Sequence, residues 1–331
     1  MAYTLSQLSK IETEPLRKGI IMNILRYAKL MEWLPFENVG ALRSVAVRWT
    51  ELPDVSFRGI NMGYTGSEGQ YEQVYESVYG FGGEIEFDRV FEKIQNTIVD
   101  PKTDQVNQKM KALGFTFNDY FINGDHATDP DAFEGLKKRV SLLPSRQTVG
   151  FAGASSAALD PTASTANART FVDTFEKAMY RTNSGQVNAI LCNEGIKWGL
   201  GKVLRYVGVS GGNWLDMTKD SFDREYPTYK GVPLIDVGLK KDQVTEIITE
   251  TEVAGDAGAD ATSIYFVSFG IEDGLTGIQL APLEVYDPLN GGERESKPTK
   301  LTRIDWWIGM AGFGSYGLTR AWNVEGAANW T

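Results

Sequence analysis

The sequence predicts an α+β protein, and three observations carry that expectation. Val106, Met110, Leu113, Phe117 and Phe121 form one stripe at spacings of four and three, the signature of a long amphipathic helix. Between residues 168 and 206 the pattern runs helix, buried strand, helix, which suggests a sheet covered by helices. From residue 231 onward, short strand-like runs dominate.

In chain order, residues 13–34 read as an amphipathic helix with Leu16, Ile20, Ile24, Ala28 and Met31 on one face. Pro15 falls in its first turn and Pro35 follows its last. The face suits either a core or a subunit-contacting arm, and Ile20 and Ile24 are its candidate contact residues. In 43–87, Val45, Val47 and Trp49 alternate with polar neighbours, like a half-buried strand. Gly63, Gly66 and Gly69 then crowd into ten residues, and a second extended stretch ends at residues 82–87. This reads as a long hairpin with a flexible tip. It carries few bulky aliphatics, so it is expected to lack a core and to pack on something else. Tyr64, Gly66 and Gly69 are the candidate contacts there. An idle solvated loop is the plain alternative.

Residues 88–122 are helical in pattern, first with Val90, Ile94 and Ile98, then with the long stripe. Asp100 reads as an N-cap and Pro101 as the first helical residue. A helix over 101–122 would be about 33 Å long at 1.5 Å per residue. Asn123-Gly124-Asp125 stops it, with Gly124 suited to a left-handed cap. Residues 126–164 read as loops and short strands, and 152–168 as a surface segment. Ala168, Val172, Phe175 and Met179 mark a second helix, ended by residues 183–185. Residues 187–192 read as a buried strand, after which Asn193 caps a helix carrying Ile196, Leu200 and Val203. Strands are expected at 231–237, 263–269, 277–280, 283–286, 301–310 and 317–324, with Ile304, Trp306 and Ile308 on one face.

Composition removes several function classes. The chain has 331 residues and a net charge of −10, which argues against a nucleic-acid reader working through a basic surface. His126 and Cys192 are the only residues of their kinds. An internal disulfide and a Cys/His zinc site are therefore excluded, and a His-dependent triad would have to use His126. The N-terminal stretch lacks the apolar core of a signal peptide. No apolar run reaches the roughly 18 residues of a membrane helix, so no membrane partner is expected.

The chemical motifs are weak. Gly208-Val-Ser-Gly-Gly212 frames Ser210 like a nucleophile elbow, but that arrangement needs a strand before the serine and a histidine after it. A glycine-rich turn is the alternative. Gly312-Phe-Gly-Ser-Tyr-Gly317 matches a dinucleotide fingerprint without the helix and distant acid that the fingerprint needs. Asp125, Asp129, Asp131 and Glu134, around His126, suit either a hard cation or a solvated acidic turn. Lys137, Lys138 and Arg139 read as a solvated basic face, and Asn329-Trp330-Thr331 is a glycosylation sequon only in a secreted protein. No catalytic residue, cofactor or metal is expected.

The order of segments resembles the major capsid proteins of tailed phages with the Hong Kong 97 fold. The most specific stretch is Tyr120-Phe-Ile-Asn-Gly-Asp125 followed by Pro130, Phe133, Glu134, Gly135 and Leu136. Asn123, Gly124, Asp125, Pro130 and Gly135 carry the signature there. Residues 189–193, 229–234 with Gly231 and Pro233, 264–270 and 303–307 add to it. The resemblance implies an α+β capsid fold with an N-terminal arm (1–42), an extended E-loop hairpin (43–87), a peripheral domain with a long spine helix (88–145), an axial α/β domain (146–295) and closing peripheral strands (296–331). It implies self-assembly as hexamers and pentamers into an icosahedral shell enclosing double-stranded DNA. Partners would be a separate scaffolding protein, a portal, a possible decoration protein and the packaged DNA, in a virion assembled in a bacterial cytoplasm. Residues 51–87 contain no Lys, so the crosslink some members make from this loop looks absent. An encapsulin nanocompartment is the alternative with the same fold, and a serine hydrolase using Ser210 is a distant one.

Overall fold

The computed structural model describes residues 3–4, 28, 30–92, 101–152, 157–208, 215–219, 225–253, 260–271, 274–289, 291–294, 296–312 and 314–330. Most of the expected 13–34 helix, with Ile20 and Ile24, lies outside these residues, as do Ile94, Ile98, Asp100 and Ser210. In chain order the elements are β1 (Tyr3–Thr4), α1 (Leu30–Trp33), β2 (Pro35–Asn38), β3 (Arg43–Glu51), β4 (Gln70–Ser77), β5 (Tyr79–Asp88), α2 (Pro101–Asn123), α3 (Leu136–Leu142), β6 (Thr148–Gly150) and α4 (Thr165–Arg181). Then follow β7 (Ala189–Cys192), α5 (Glu194–Val207), β8 (Leu215–Lys219), β9 (Glu225–Tyr229), β10 (Val232–Asp236), β11 (Ala261–Val267), β12 (Leu275–Gln279), β13 (Glu284–Tyr286), β14 (Thr299–Gly312) and β15 (Leu318–Glu325).

The long stripe forms α2, 23 residues and about 34 Å long. Met110, Leu113, Phe117 and Phe121 are buried. They share a core with Ile85 and Phe87 of β5 and with Ile304, Trp306 and Ile308 of β14. The three β14 residues alternate with partly exposed neighbours, so one face of the strand meets the core. β14 organises the first sheet. It pairs antiparallel with β5 from Thr299↔Asp88 to Ile308↔Tyr79, and also with β12 and β13.

The second sheet runs β6-β15-β11-β7-β10-β9-β8. Its central strands are buried on both faces, which is why they read as continuous apolar runs. Ile190, Cys192, Ile264 and Phe266 face a core built with Phe171 and Phe175 of α4 and Ile196, Leu200 and Val203 of α5. Ala189, Leu191, Tyr265 and Val267 face the opposite core, which includes Phe121 and Ile122 at the end of α2. Asn193 caps α5 as expected: its Oδ1 accepts from the Ile196 N–H at 2.9 Å, and its Nδ2 donates to Glu250 at 2.8 Å. Asn193→Ala is expected to lower stability by about 1–2 kcal/mol, read by thermal unfolding.

The structure departs from the sequence reading at several places. The boundary at residue 296 cuts across both sheets. β15 sits between β6 and β11 in the second sheet, while β12 and β13 pair within the first. Long-range pairing, not chain order, decides sheet membership. Residues 136–142, read as loop, form α3, and β2, β6, β8 and β9 are further short elements without clear periodicity. The hairpin proper pairs β3 with β4, from Arg43↔Ser77 to Glu51↔Gln70. The stretch containing 82–87 leaves that hairpin and enters the first sheet as β5. Residues 89–92 form a single 3-10 turn in which Val90 is exposed.

Candidate assembly surface

Asn123, Gly124, Asp125, Pro130 and Gly135 come together in one corner where α2 hands the chain to α3. Gly124 does not adopt the left-handed conformation expected of it. Its N–H still donates to Tyr120 O at 2.9 Å, so the helical pattern persists. Glycine is required there by crowding: a Cβ would lie 2.5 Å from the carbonyl oxygens of both Tyr120 and Phe133. Gly135 donates its N–H to Gly124 O at 2.8 Å, and a Cβ on it would lie 2.6 Å from Gly124 N. The two glycines therefore lock backbone against backbone. Asn123 Nδ2 ties the corner to Asp119 at 2.8 Å and to Ile247 O at 3.0 Å.

Asp125 and Asp129 brace the turn and tie it to the flanking helices. Asp125 accepts from Ala127 N at 3.0 Å and pairs with Lys138 at 3.4 Å. Asp129 accepts from Asp131 N at 3.2 Å and from the Tyr120 hydroxyl at 2.8 Å, which raises the Tyr120 phenol above its ordinary range. Pro130 is exposed on the turn. His126 Nδ1 lies 3.3 Å from the Tyr79 hydroxyl and from Ala132 O. Among the described residues, no group of three or more acidic, His or Cys side chains is placed to hold a metal ion. Gly231 and Pro233 stand apart, in the second sheet. Lys230 and Gly231 have φ of 50° and 84°, the two-residue turn that joins β9 to β10, and Pro233 pairs with Thr228.

The basic run is not a uniform solvated face. Arg139 is buried, because α3 presents Leu136, Arg139 and Val140 on its inner side. Its guanidinium grips both carboxylate oxygens of Glu76 in β4, at 2.5 and 2.8 Å. It also donates to Glu134 O at 2.9 Å and Met310 O at 2.5 Å. The spacing Leu136-x-x-Arg139-Val140 carries this signal, which a reading of charge alone overlooks.

Lys137 reaches a second, half-buried carboxylate, Glu252, at 3.2 Å. Glu252 also accepts from Arg320 at 2.9 Å and from the Ser263 hydroxyl. Burial raises this carboxyl, but Arg320, Ser263 and Lys137 together outweigh burial and hold it below its ordinary value. A depressed folded-state value gives stability that is present above the unfolded-state value and is lost as pH falls through the folded one. Glu252→Gln is therefore expected to flatten the acid limb of a plot of thermal midpoint against pH.

The hairpin is the molecule's unusual surface. Val45 and Val47 were expected to be half-buried; both are more than half exposed. Val55, Phe57 and Ile60 are almost fully exposed, and Leu52, Met62, Tyr64 and Tyr71 largely so. The Arg58 guanidinium stacks 5.1 Å from the Tyr64 ring centre, and Met62 N bonds Gly59 O at 3.2 Å, so the tip is shaped locally. A Cβ on Gly66 would meet nothing within 4 Å, while one on Gly69 would touch Glu51 O at 3.0 Å. Apolar side chains this exposed on a two-stranded hairpin, which is marginal by itself, make it the candidate interaction surface.

The architecture has solved counterparts. The holo-SrpI encapsulin complex of Synechococcus elongatus PCC 7942 contains a chain with a TM-score of 0.61 at 13% identity, covering 92% of this chain and 89% of that one. The capsid of the native GTA particle gives 0.58 at 14%, covering 91% and 90%. The capsid of Myoviridae phage XM1 gives 0.55 at 12%, covering 90% and 92%. This is the Hong Kong 97 capsid fold. Residues 31–160 also match the family model of the major capsid protein GP7. That match spans the hairpin, α2, the glycine corner and α3. No curated protein matches the chain in sequence. Within the capsid fold, the elements that bring Arg139 and Glu76 together both fall in the GP7-matching segment.

Proposed function

We propose that the chain is a structural capsid protein whose copies assemble as hexamers and pentamers into an icosahedral shell around phage double-stranded DNA. The observation that carries this reading is the hairpin tip, where Val55, Phe57 and Ile60 are exposed on a segment without a core of its own. In this reading the hairpin is the E-loop, it lies across a neighbouring copy, and α2 is the spine helix. Tyr64, Gly66 and Gly69 contact that neighbour, with Ile20 and Ile24 contributing from the arm. Each copy makes several contacts in a closed shell, so interfaces of modest strength multiply through avidity. The net charge of −10 limits adhesion of the wall to packaged DNA. A scaffolding protein, a portal and a decoration protein complete the assembly in the host cytoplasm and the virion.

The encapsulin match supports a second reading, a nanocompartment with a protein cargo. Size-exclusion chromatography with light scattering, followed by electron microscopy, tests both. Closed megadalton shells support the shell reading, and a co-purifying protein cargo favours the second version. A stable monomer that stays unassembled with candidate scaffolds overturns both.

The same proposal assigns no catalytic role. Gly208 takes the left-handed conformation that ends α5, so a helix leads toward Ser210 where a nucleophile elbow needs a strand. His126 is engaged with Tyr79 and Ala132. Labelling by a fluorophosphonate probe that Ser210→Ala abolishes would overturn this assignment.

A further inference from the structure

We propose that the pair of buried Arg139 with half-buried Glu76 is the lock that sets the direction of the hairpin, and through it the curvature and uniformity of the shell. The inference rests on the shell reading for its second half only.

The hairpin joins the body at a narrow root. Leu42 and Val78 close it through a Val78 N to Leu42 O bond of 2.9 Å. Val78 is buried and belongs to a small core with Ile278 and Ala311, and it is the single residue separating β4 from β5. The strand therefore runs from the first sheet into the hairpin almost without interruption. Beyond Ser77, whose carbonyl lies against Gly309 of β14, a cleft opens beneath β4. This cleft of about 300 Å³ separates residues 72–76 of β4 from Leu142, Leu143, Leu275 and Leu318 of the body. Glu76 spans this gap, one residue before the end of β4. Its carboxylate meets Arg139 in a two-point grip that resists rotation as well as separation. Arg139 is itself held by Glu134 O in the corner before α3 and by Met310 O in β14. The Glu76 side chain is 13% exposed and that of Arg139 10%. Three elements, β4, α3 and β14, thus converge on one guanidinium.

A purely stabilising pair and a directional lock make different predictions. Buried ion pairs replaced by apolar residues of similar volume often keep full stability, whereas removal of one partner strands a buried charge. The decisive variant is therefore the double replacement Arg139→Met with Glu76→Met, which leaves no charge behind. It fills the same space but has neither the fixed fork nor the carbonyl bonds. Spin labels at Gly66→Cys on the tip and Ser141→Cys on α3 report the hairpin direction in the full-length, unassembled chain. The native Cys192 is fully buried and does not interfere.

The thermal midpoint of the double variant is expected to stay within about 3 °C of the parent. Its tip-to-body distance distribution is expected to broaden about twofold, as a released hinge does. Its particles are expected to become heterogeneous in diameter by electron microscopy. A distance distribution as narrow as the parent's overturns the lock. A broadened distribution with particles as uniform as the parent's overturns the link to shell geometry. Because the distance is read before assembly, a chain that never forms shells still decides whether the lock exists, and failure of the shell reading is seen separately in the parent. If the double variant unfolds, Arg139→Lys gives the same readout: it keeps the charge but loses the two-point grip, and an unchanged distribution there overturns the proposal.

Discussion

Replacing Val55, Phe57 and Ile60 together with serine will leave the subunit folded and stop shells from closing. These side chains touch no core in a single copy; each is 95% exposed or more. Removing them therefore takes nothing from the subunit's own packing, and its thermal midpoint should be unchanged. In the proposed shell the same side chains are buried against a neighbour. Burial of one such side chain contributes about 1.5–3 kcal/mol, so three of them supply about 5 kcal/mol or more per hairpin contact. A loss of that size weakens each contact by more than about a thousandfold. Sedimentation or light scattering should show free subunits in place of particles. Deleting residues 63–70 is expected to act in the same direction. Normal shells from either variant would remove the hairpin from the interface.

Gly135→Ala will have the opposite signature, destabilising the subunit itself before assembly is reached. The new methyl group would sit 2.6 Å from Gly124 N and 2.7 Å from the carbonyl oxygens of Ile122 and Tyr120. Every one of those atoms is backbone, at the end of the long helix, and none can rotate away. Overpacking of this kind costs about 3 kcal/mol, because the strain must be shared by two elements that are themselves fixed. A fall in the urea midpoint and in the yield of soluble protein would check it. Gly66→Ala is the matched control. Its methyl would meet nothing within 4 Å, so no loss of stability is expected. The contrast separates a glycine required by crowding from one in an open tip.

Much of the fold was legible in the residues, and the reason is local. The α2 stripe, the Asn193 cap, the buried strands at 189–192 and 261–267, and the inward face Ile304-Trp306-Ile308 all follow from periodicities of 3.6 and 2. The short strands β2, β6 and β9 were not legible, because three to five residues give too little pattern to separate a strand from a loop. From the sequence, Gly135 stands out only as part of a resemblance, and Gly124 only as that or as a left-handed helix cap, which it is not. Their physical reason, two backbones in contact, appears only when the chain folds back on itself.

By itself, then, the sequence determined the types of the long periodic elements, which side chains share a face in them, the acidic balance and the lack of a Cys/His metal site. These depend on neighbouring residues or on composition, and both are written along the chain. Only the tertiary structure decided that residues 318–325 belong with β11, because that choice is made by hydrogen bonding between strands some fifty residues apart. It alone turned Arg139 from one member of a charged run into the buried partner of Glu76, 63 positions away. It also revealed that the alternating valines of β3 face solvent. Periodicity marks which side chains share a face, while burial depends on what the rest of the chain places against that face.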